Sequence, residues 1–282
     1  MKKIALINDL SGFGKCSLTA AIPVISVMGI QACPLPTAIL SAQTGFKEYF
    51  CDDYTDRMDE FMKQWKKMGV AFDGIYSGYL AGVGQVEKVL SFLEQFKQEE
   101  TLYLADPVMG DNGRTYDFFT PEFLGEMKVL TKQASVITPN LMEACLLADE
   151  AYDLLTVHSQ KEDYLERLLD LGHTLMERAE TSQQVIITGI IRRMENQEMI
   201  GNLAVSRRGS FYIETPYTGK SFSGTGDLFA SVICGCLIKG AKAEDAMKRA
   251  VSFLQAAIEE ASRENIPAPY GVHFEQYLSL LI

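Results

Sequence analysis

Short apolar runs alternate with helical stretches from the first residues of the chain nearly to the last. Ile4-Ala5-Leu6-Ile7 is continuously apolar, the mark of a strand covered on both faces. Residues 72–76, 102–105, 136–138 and 185–188 repeat that pattern, each short, rich in strand-forming residues and bounded by Gly, Pro, Asn or Asp. Between them, apolar positions recur at helical spacing over residues 16–28, 83–98 and 164–179. Over 200–214 the period becomes two, with Arg207-Arg208-Gly209 at the bend, which predicts a hairpin. Helices are expected at 226–239 and 243–263, the second with Met247, Ala250, Val251, Leu254, Ala257 and Ile258 on one face. The alternation predicts an α/β fold whose mainly parallel central sheet carries helices on both faces. Residues 148–163 read as a loop leading into a helix, and with no repeat or linker visible, 1–282 is expected to be a single domain.

Composition narrows the function classes. The apolar fraction of 47% suits a full globular core, and the net charge of −11 argues against nucleic acid or an anionic membrane as partner. The apolar run at the N-terminus stops at Asn8-Asp9, too soon for a secretory segment, and the longest apolar stretch, 228–238, is about half of a membrane span. A cytoplasmic location is expected. Cys16, Cys33, Cys51, Cys145, Cys234 and Cys236 show no zinc spacing, and His158, His173 and His273 are scattered. Histidine-based metal or triad chemistry is therefore not expected.

The segment Ser221-Phe222-Ser223-Gly224-Thr225-Gly226-Asp227 carries the most chemistry. Its glycines let the backbone approach a ligand closely, and a helix beginning at Gly226 would aim free N–H groups and a positive dipole end at phosphate oxygens. Asp227 would repel a resting phosphate, yet it is suited to take a proton from an alcohol attacking one. An acidic residue in a first helical turn is also ordinary helix chemistry, and the segment alone does not choose.

Ligands of open parallel sheets bind beyond the carboxyl ends of the strands. The first strand is followed by Asp9, Ser11 and a glycine loop at 12–14 whose spacing fits neither a Walker A loop nor a dinucleotide fingerprint. That loop is either a flexible turn or a flap over a small substrate, with Asp9 and Ser11 offering hydrogen bonds. Asp106 and Asp111 flank a Pro/Gly turn, and such carboxylate pairs attract Mg²⁺. Asn140-x-x-Glu143 before an apolar run reads first as a capping box, although Glu143 could hold a metal-bound water as well. Thr44, Tyr79 and Thr188 fall at loop positions at the same end of the sheet, and Tyr79 either walls a flat aromatic substrate or packs.

Taken together, Thr44-Gly45, Ser77-Gly78-Tyr79-Leu80, Asp106-Pro107-Val108-Met109-Gly110, Thr138-Pro139-Asn140-Leu141-Met142-Glu143 and Gly224-Thr225-Gly226-Asp227 resemble the ribokinase superfamily, and within it the pyridoxal kinases, over nearly the whole chain. The resemblance implies a three-layer ribokinase-like fold and transfer of phosphate from ATP·Mg²⁺ to the 5′-hydroxymethyl group of a vitamin B6 vitamer. It implies Asp227 as base and Gly224, Thr225 and Gly226 as anion hole, with Asp106 and Glu143 tied to the metal. Asp111, Thr138, Asn140 and Thr188, with Gly224 and Thr225, fall to the nucleotide, and Asp9, Ser11, Thr44 and Tyr79 to the vitamin. A homodimer is implied, and a monovalent cation beside Mg²⁺ is compatible with the pattern.

One departure is notable. Where many pyridoxal kinases carry Ser-His, this chain has Asp9-Leu10, and Asp9-x-Ser11-Gly12 is reminiscent of hydroxymethylpyrimidine kinases. Those enzymes typically carry Cys at the position of Asp227. A non-catalytic carrier of vitamin B6 or nucleotide is the rival from another class.

Overall fold

The apolar run at the N-terminus is the middle of a longer strand. In the computed structural model, which describes residues 1–194 and 197–282, Ile4, Ala5, Leu6 and Ile7 are fully buried within β1 (Lys3–Ser11). The chain continues through α1 (Ser17–Val27), β2 (Gln31–Leu40), β3 (Cys51–Asp53), α2 (Thr55–Lys67), β4 (Gly74–Ser77), α3 (Val83–Phe96) and β5 (Leu102–Ala105). Next come β6 (Gly110–Asp111), β7 (Arg114–Thr115), α4 (Pro121–Lys132), β8 (Val136–Ile137), α5 (Leu141–Ala148), α6 (Tyr152–Thr156) and α7 (Tyr164–Glu177). The last elements are β9 (Gln184–Arg193), β10 (Glu198–Ser206), β11 (Gly209–Pro216), α8 (Thr225–Ile238), α9 (Ala243–Arg263) and two 3-10 turns.

Two compact units divide these elements, Met1–Leu104 with Lys220–Ile282, and Ala105–Gly219. In the first, the strand order is β5-β4-β1-β2-β3. β1 pairs in parallel with both β2 and β4, and β3 is antiparallel to β2. Helices α1 and α8 pack on each other and on β1 and β4, α9 covers α8, and α2 packs with α3. In the second unit the order is β8-β9-β10-β11, with β8 and β9 parallel and the rest antiparallel. The architecture is the mixed α/β type that the alternation predicts, with parallel pairing at its centre and the 198–216 hairpin where the period of two lies. Among the described residues no helix is long and apolar enough to cross a membrane.

Several differences from the sequence reading have physical causes. β2 and β3 lay outside it, because Pro34 and Pro36 break the apolar pattern of β2 and β3 is only three exposed residues long. β3 pairs only with Ala38–Leu40, so the N–H groups missing at the two prolines cost no bond to it. β9 does not end at Thr188 but continues to Arg193, because β10 keeps pairing past a register shift at Thr188-Gly189. β1 extends to Ser11, so Asp9 and Ser11 belong to the strand and not to a loop.

Candidate active site

The first unit gathers a cluster at the mouth of α8. Gly224 precedes the helix in the left-handed region, with φ 82°. The first helical bond runs from the Leu228 N–H to the Gly224 carbonyl at 3.0 Å, so the N–H groups of Thr225, Gly226 and Asp227 stand at the helix's open end. The Thr225 hydroxyl donates to the Phe222 carbonyl at 3.0 Å, which leaves the backbone to meet an anion. Gly226 has nothing within 4 Å of where a side chain would begin.

Asp227 lies in the first turn of α8, partly exposed by surface but closely surrounded by protein. Its Oδ1 accepts the Asn8 Nδ2–H at 3.1 Å, and the backbone N–H of Ser17 lies near enough to favour the charged carboxylate. Desolvation pushes the carboxyl up to about 6; the Ser17 donor opposes this, the Asp9 charge adds to it, and Asn8 opposes it. A carboxylate poised there is ionised at neutral pH and still basic enough to accept a proton.

Around it, Asp9 is buried and held above the usual carboxylate range by desolvation, while Ser11 Oγ–H donates to its Oδ2 at 2.8 Å. Tyr79 is half-buried; its N–H donates to Asn8 Oδ1 at 2.8 Å and its carbonyl accepts Thr37 Oγ1 at 3.2 Å. Burial and then the Asp9 charge push the Tyr79 phenol up to about 12, so it stays protonated. Thr44 is exposed on the loop after β2, and its neighbour Gln43 anchors that loop. Gln43 Nε2 donates to Ser223 Oγ at 3.1 Å and to the Pro269 carbonyl at 3.0 Å, while its Oε1 accepts the Gly45 N–H at 2.8 Å. Beside these residues the rings of Phe13, Phe46 and Tyr270 pack mutually at 5.3–5.5 Å between centroids, with Phe13 and Tyr270 about half exposed.

The second unit holds the other candidates. Asn140 and Glu143 form the expected capping box at α5: Asn140 Oδ1 accepts the Glu143 N–H at 3.0 Å and Glu143 Oε2 accepts the Asn140 N–H at 2.9 Å. Glu143 Oε1 also accepts the Met109 N–H at 3.0 Å, and Asn140 Nδ2 donates to the Gly110 carbonyl at 2.8 Å. The box thereby ties the 106–110 turn to the helix start. Glu143 is buried, and desolvation followed by the Asp106 charge raises its carboxyl well above the ordinary range. Thr138 Oγ1 donates to Asp106 Oδ1 at 3.2 Å, and its N–H reaches the Ala105 carbonyl at 3.1 Å. Thr188 N–H donates to the Pro139 carbonyl at 2.9 Å and pairs with Asn140 as an isolated bridge. The Asp106 charge thus bears on Glu143, whereas Asp111 accepts the Asn112 backbone N–H at 2.8 Å and side-chain Nδ2–H at 3.0 Å in its own turn.

Sequence reasoning missed Asn8, Gln43, the Ser17 N–H and Tyr270. An amide directly behind an apolar strand run was a signal for Asn8; no local pattern marks Gln43 or Tyr270, whose partners lie far along the chain.

Known proteins resemble this chain in sequence and fold. A family profile described as phosphomethylpyrimidine kinase matches residues 16–268. A Bacteroides thetaiotaomicron protein described as a phosphomethylpyrimidine kinase, solved with pyridoxal, is 38% identical, superposes with a TM-score of 0.89, and the match covers 99% of this chain and 95% of that one. Pyridoxal kinase from Lactobacillus plantarum is 27% identical with a TM-score of 0.87, covering 100% and 96% of the two chains. Pyridoxal kinase PdxY of Deinococcus radiodurans is 28% identical over 272 residues, or 93% of this chain and 88% of its own. Fold and comparisons make the protein a kinase of ribokinase-like architecture, as its motifs suggested. It belongs to the phosphomethylpyrimidine kinase family.

Proposed function

We propose that this kinase transfers the terminal phosphoryl group of ATP to the 5′-hydroxymethyl group of a vitamin B6 vitamer. The observation that carries the reading is Asp227, a closely surrounded carboxylate held at about 6 in the first turn of α8, beside the open N–H groups of Thr225 and Gly226. Asp227 accepts the proton of the attacking alcohol, and the backbone N–H groups at 224–226 stabilise charge on the moving phosphoryl group. Pyridoxal accompanying the 38% identical relative supports a pyridine alcohol as acceptor. We assign Tyr79, Thr44, Asp9 and Ser11 to the vitamin side; the mutual bond of Asp9 and Ser11 makes them a shaped wall more than free donors.

Asp111, Thr138, Asn140 and Thr188 are assigned to the nucleotide. The hard carboxylate oxygens of neighbouring Asp106 and Glu143 suit Mg²⁺, which needs only one or two protein carboxylates besides phosphates and water. Asp106 and Glu143 would hold it, Glu143 through water because both of its oxygens already accept backbone N–H groups. When bound, the ion neutralises charge on the phosphate oxygens. The resemblance to pyridoxal kinases also supports a cytoplasmic homodimer, and one family profile running through both compact units supports their acting as one kinase domain.

The family's own description favours a second reading, phosphorylation of a hydroxymethylpyrimidine, which presents the same reacting group on a different ring. Rates with ATP·Mg²⁺ on pyridoxal, pyridoxine, pyridoxamine and the pyrimidine alcohol separate the two. Highest kcat/KM on a B6 vitamer is expected; a preference for the pyrimidine would replace this reading. Tight vitamer binding without ATP consumption would make the protein a carrier.

A further inference from the structure

Asn8 is fully enclosed, with 1% of its surface exposed, at a point where β1, the 78–79 turn and α8 meet. Its amide can face only one way. Oδ1 accepts two backbone N–H groups, from Asp9 at 3.0 Å and from Tyr79 at 2.8 Å. The NH₂ end is therefore turned to Asp227, to which it donates at 3.1 Å. Gly78 leaves the room for this: a Cβ there would lie 2.3 Å from Asn8 Nδ2.

We propose that Asn8 is a positioning residue for the phosphoryl transfer, aiming the Asp227 carboxylate at the acceptor alcohol and locking it in register with the Tyr79 turn. The proposal rests on the kinase reading above. A carboxylate at a helix start rotates easily about its side-chain bonds, and a donor held by two fixed backbone groups removes that freedom. Because the Tyr79 N–H bonds the oxygen of the same amide whose NH₂ holds Asp227, the vitamin wall and the base share one anchor. Among the described residues, the other groups facing Asp227 are the Ser17 N–H, the Asp9 carboxylate and the Cys16 thiol, which burial keeps protonated.

The test compares wild type, Asn8→Asp, Asn8→Ala and Gly78→Ala on pyridoxal and on the pyrimidine alcohol, with pH profiles and melting curves. Asn8→Asp keeps an acceptor for both backbone N–H groups and changes only the group that faces Asp227. It should melt near wild type only at acid pH, where the pair keeps a proton, and below wild type at pH 8, while moving the acid limb of kcat/KM upward by about one pH unit or more, since a second carboxylate disfavours ionisation of the base. Asn8→Ala and Gly78→Ala should each lower kcat by about 10- to 100-fold with little change in KM for ATP, the scale of an ångström-sized misplacement. The double variant should be no worse than either single one, because both disturb the same contact. Wild type active, with the acid limb unmoved in Asn8→Asp, overturns this inference alone, as does additive loss in the double variant. Wild type inactive on both alcohols overturns the kinase reading and this inference with it.

Discussion

Gly224 passes the backbone of Lys15 so closely that a Cβ on it would lie 1.8 Å from the Lys15 carbonyl oxygen. The loop before α8 and the loop before α1 are therefore built as one piece. Gly224→Ala would face both that clash and a left-handed φ, and we expect it to lose several degrees of melting temperature and most activity. Gly226 is the contrasting case, since open space lies where its side chain would be. Gly226→Ala should keep or slightly raise the melting temperature, because alanine is favoured in helices by about 1 kcal/mol. If that space receives phosphoryl oxygens, turnover should nonetheless fall by about tenfold or more, on the scale of a lost anion-stabilising donor. Thermal melts and kcat measured on the same preparations check the pair.

The acid limb of kcat/KM on the alcohol should lie near pH 6, where Asp227 titrates, with rate falling about tenfold per unit below it. Asp227→Asn should lower turnover by about two to four orders of magnitude, the scale of a lost general base. Its stability should move the other way. A carboxyl whose proton is held more tightly in the folded state costs stability as pH rises past its unfolded value, and the full cost is present above the folded one. Asp227→Asn should therefore melt above wild type at pH 8, and the advantage should fade as pH falls from about 6 toward 4. An unchanged turnover would remove Asp227 from the mechanism.

Glu143 and Asp106 should separate structure from chemistry. Glu143→Ala leaves the Met109 and Asn140 N–H groups without their acceptor, at about 1–3 kcal/mol each, so it should destabilise strongly. Asp106→Asn should melt nearer to wild type and raise the Mg²⁺ concentration for half-maximal rate by about tenfold, the effect of a weakened metal site. Melting curves and Mg²⁺ titrations of the steady-state rate decide; an unchanged Mg²⁺ requirement would detach Asp106 from the metal.

Phe46 and Tyr270 contribute rings to a partly exposed aromatic cluster next to the Gln43–Ser223 bond. Truncating either to alanine should raise KM for the vitamer about 3- to 10-fold, as loss of an aromatic contact does, while KM for ATP stays within twofold. Equal effects on both substrates would point to general loosening of the loops.

Much of this protein was legible before any coordinates. Ile4–Ile7 announced a strand buried on both faces, Asn140-x-x-Glu143 its capping box, and residues 200–214 a hairpin, because each signal lies within a few residues of its own consequence. Local rules failed where pairing overruled them. Two prolines hid β2, and β9 ran on through Thr188-Gly189 because β10 lay beside it.

The sequence by itself determined the alternation of strands and helices, the glycine loop before α8 and the carboxylate behind it. Only the tertiary structure decided that Asn8, 219 positions away, holds that carboxylate, that Gln43 anchors the loop bearing Thr44, and that the Asp106 charge bears on buried Glu143. The reason is one of range. Caps and turns are settled by neighbours along the chain, whereas the acidity and aim of a buried carboxyl are set by the desolvation and donors that distant segments bring to it.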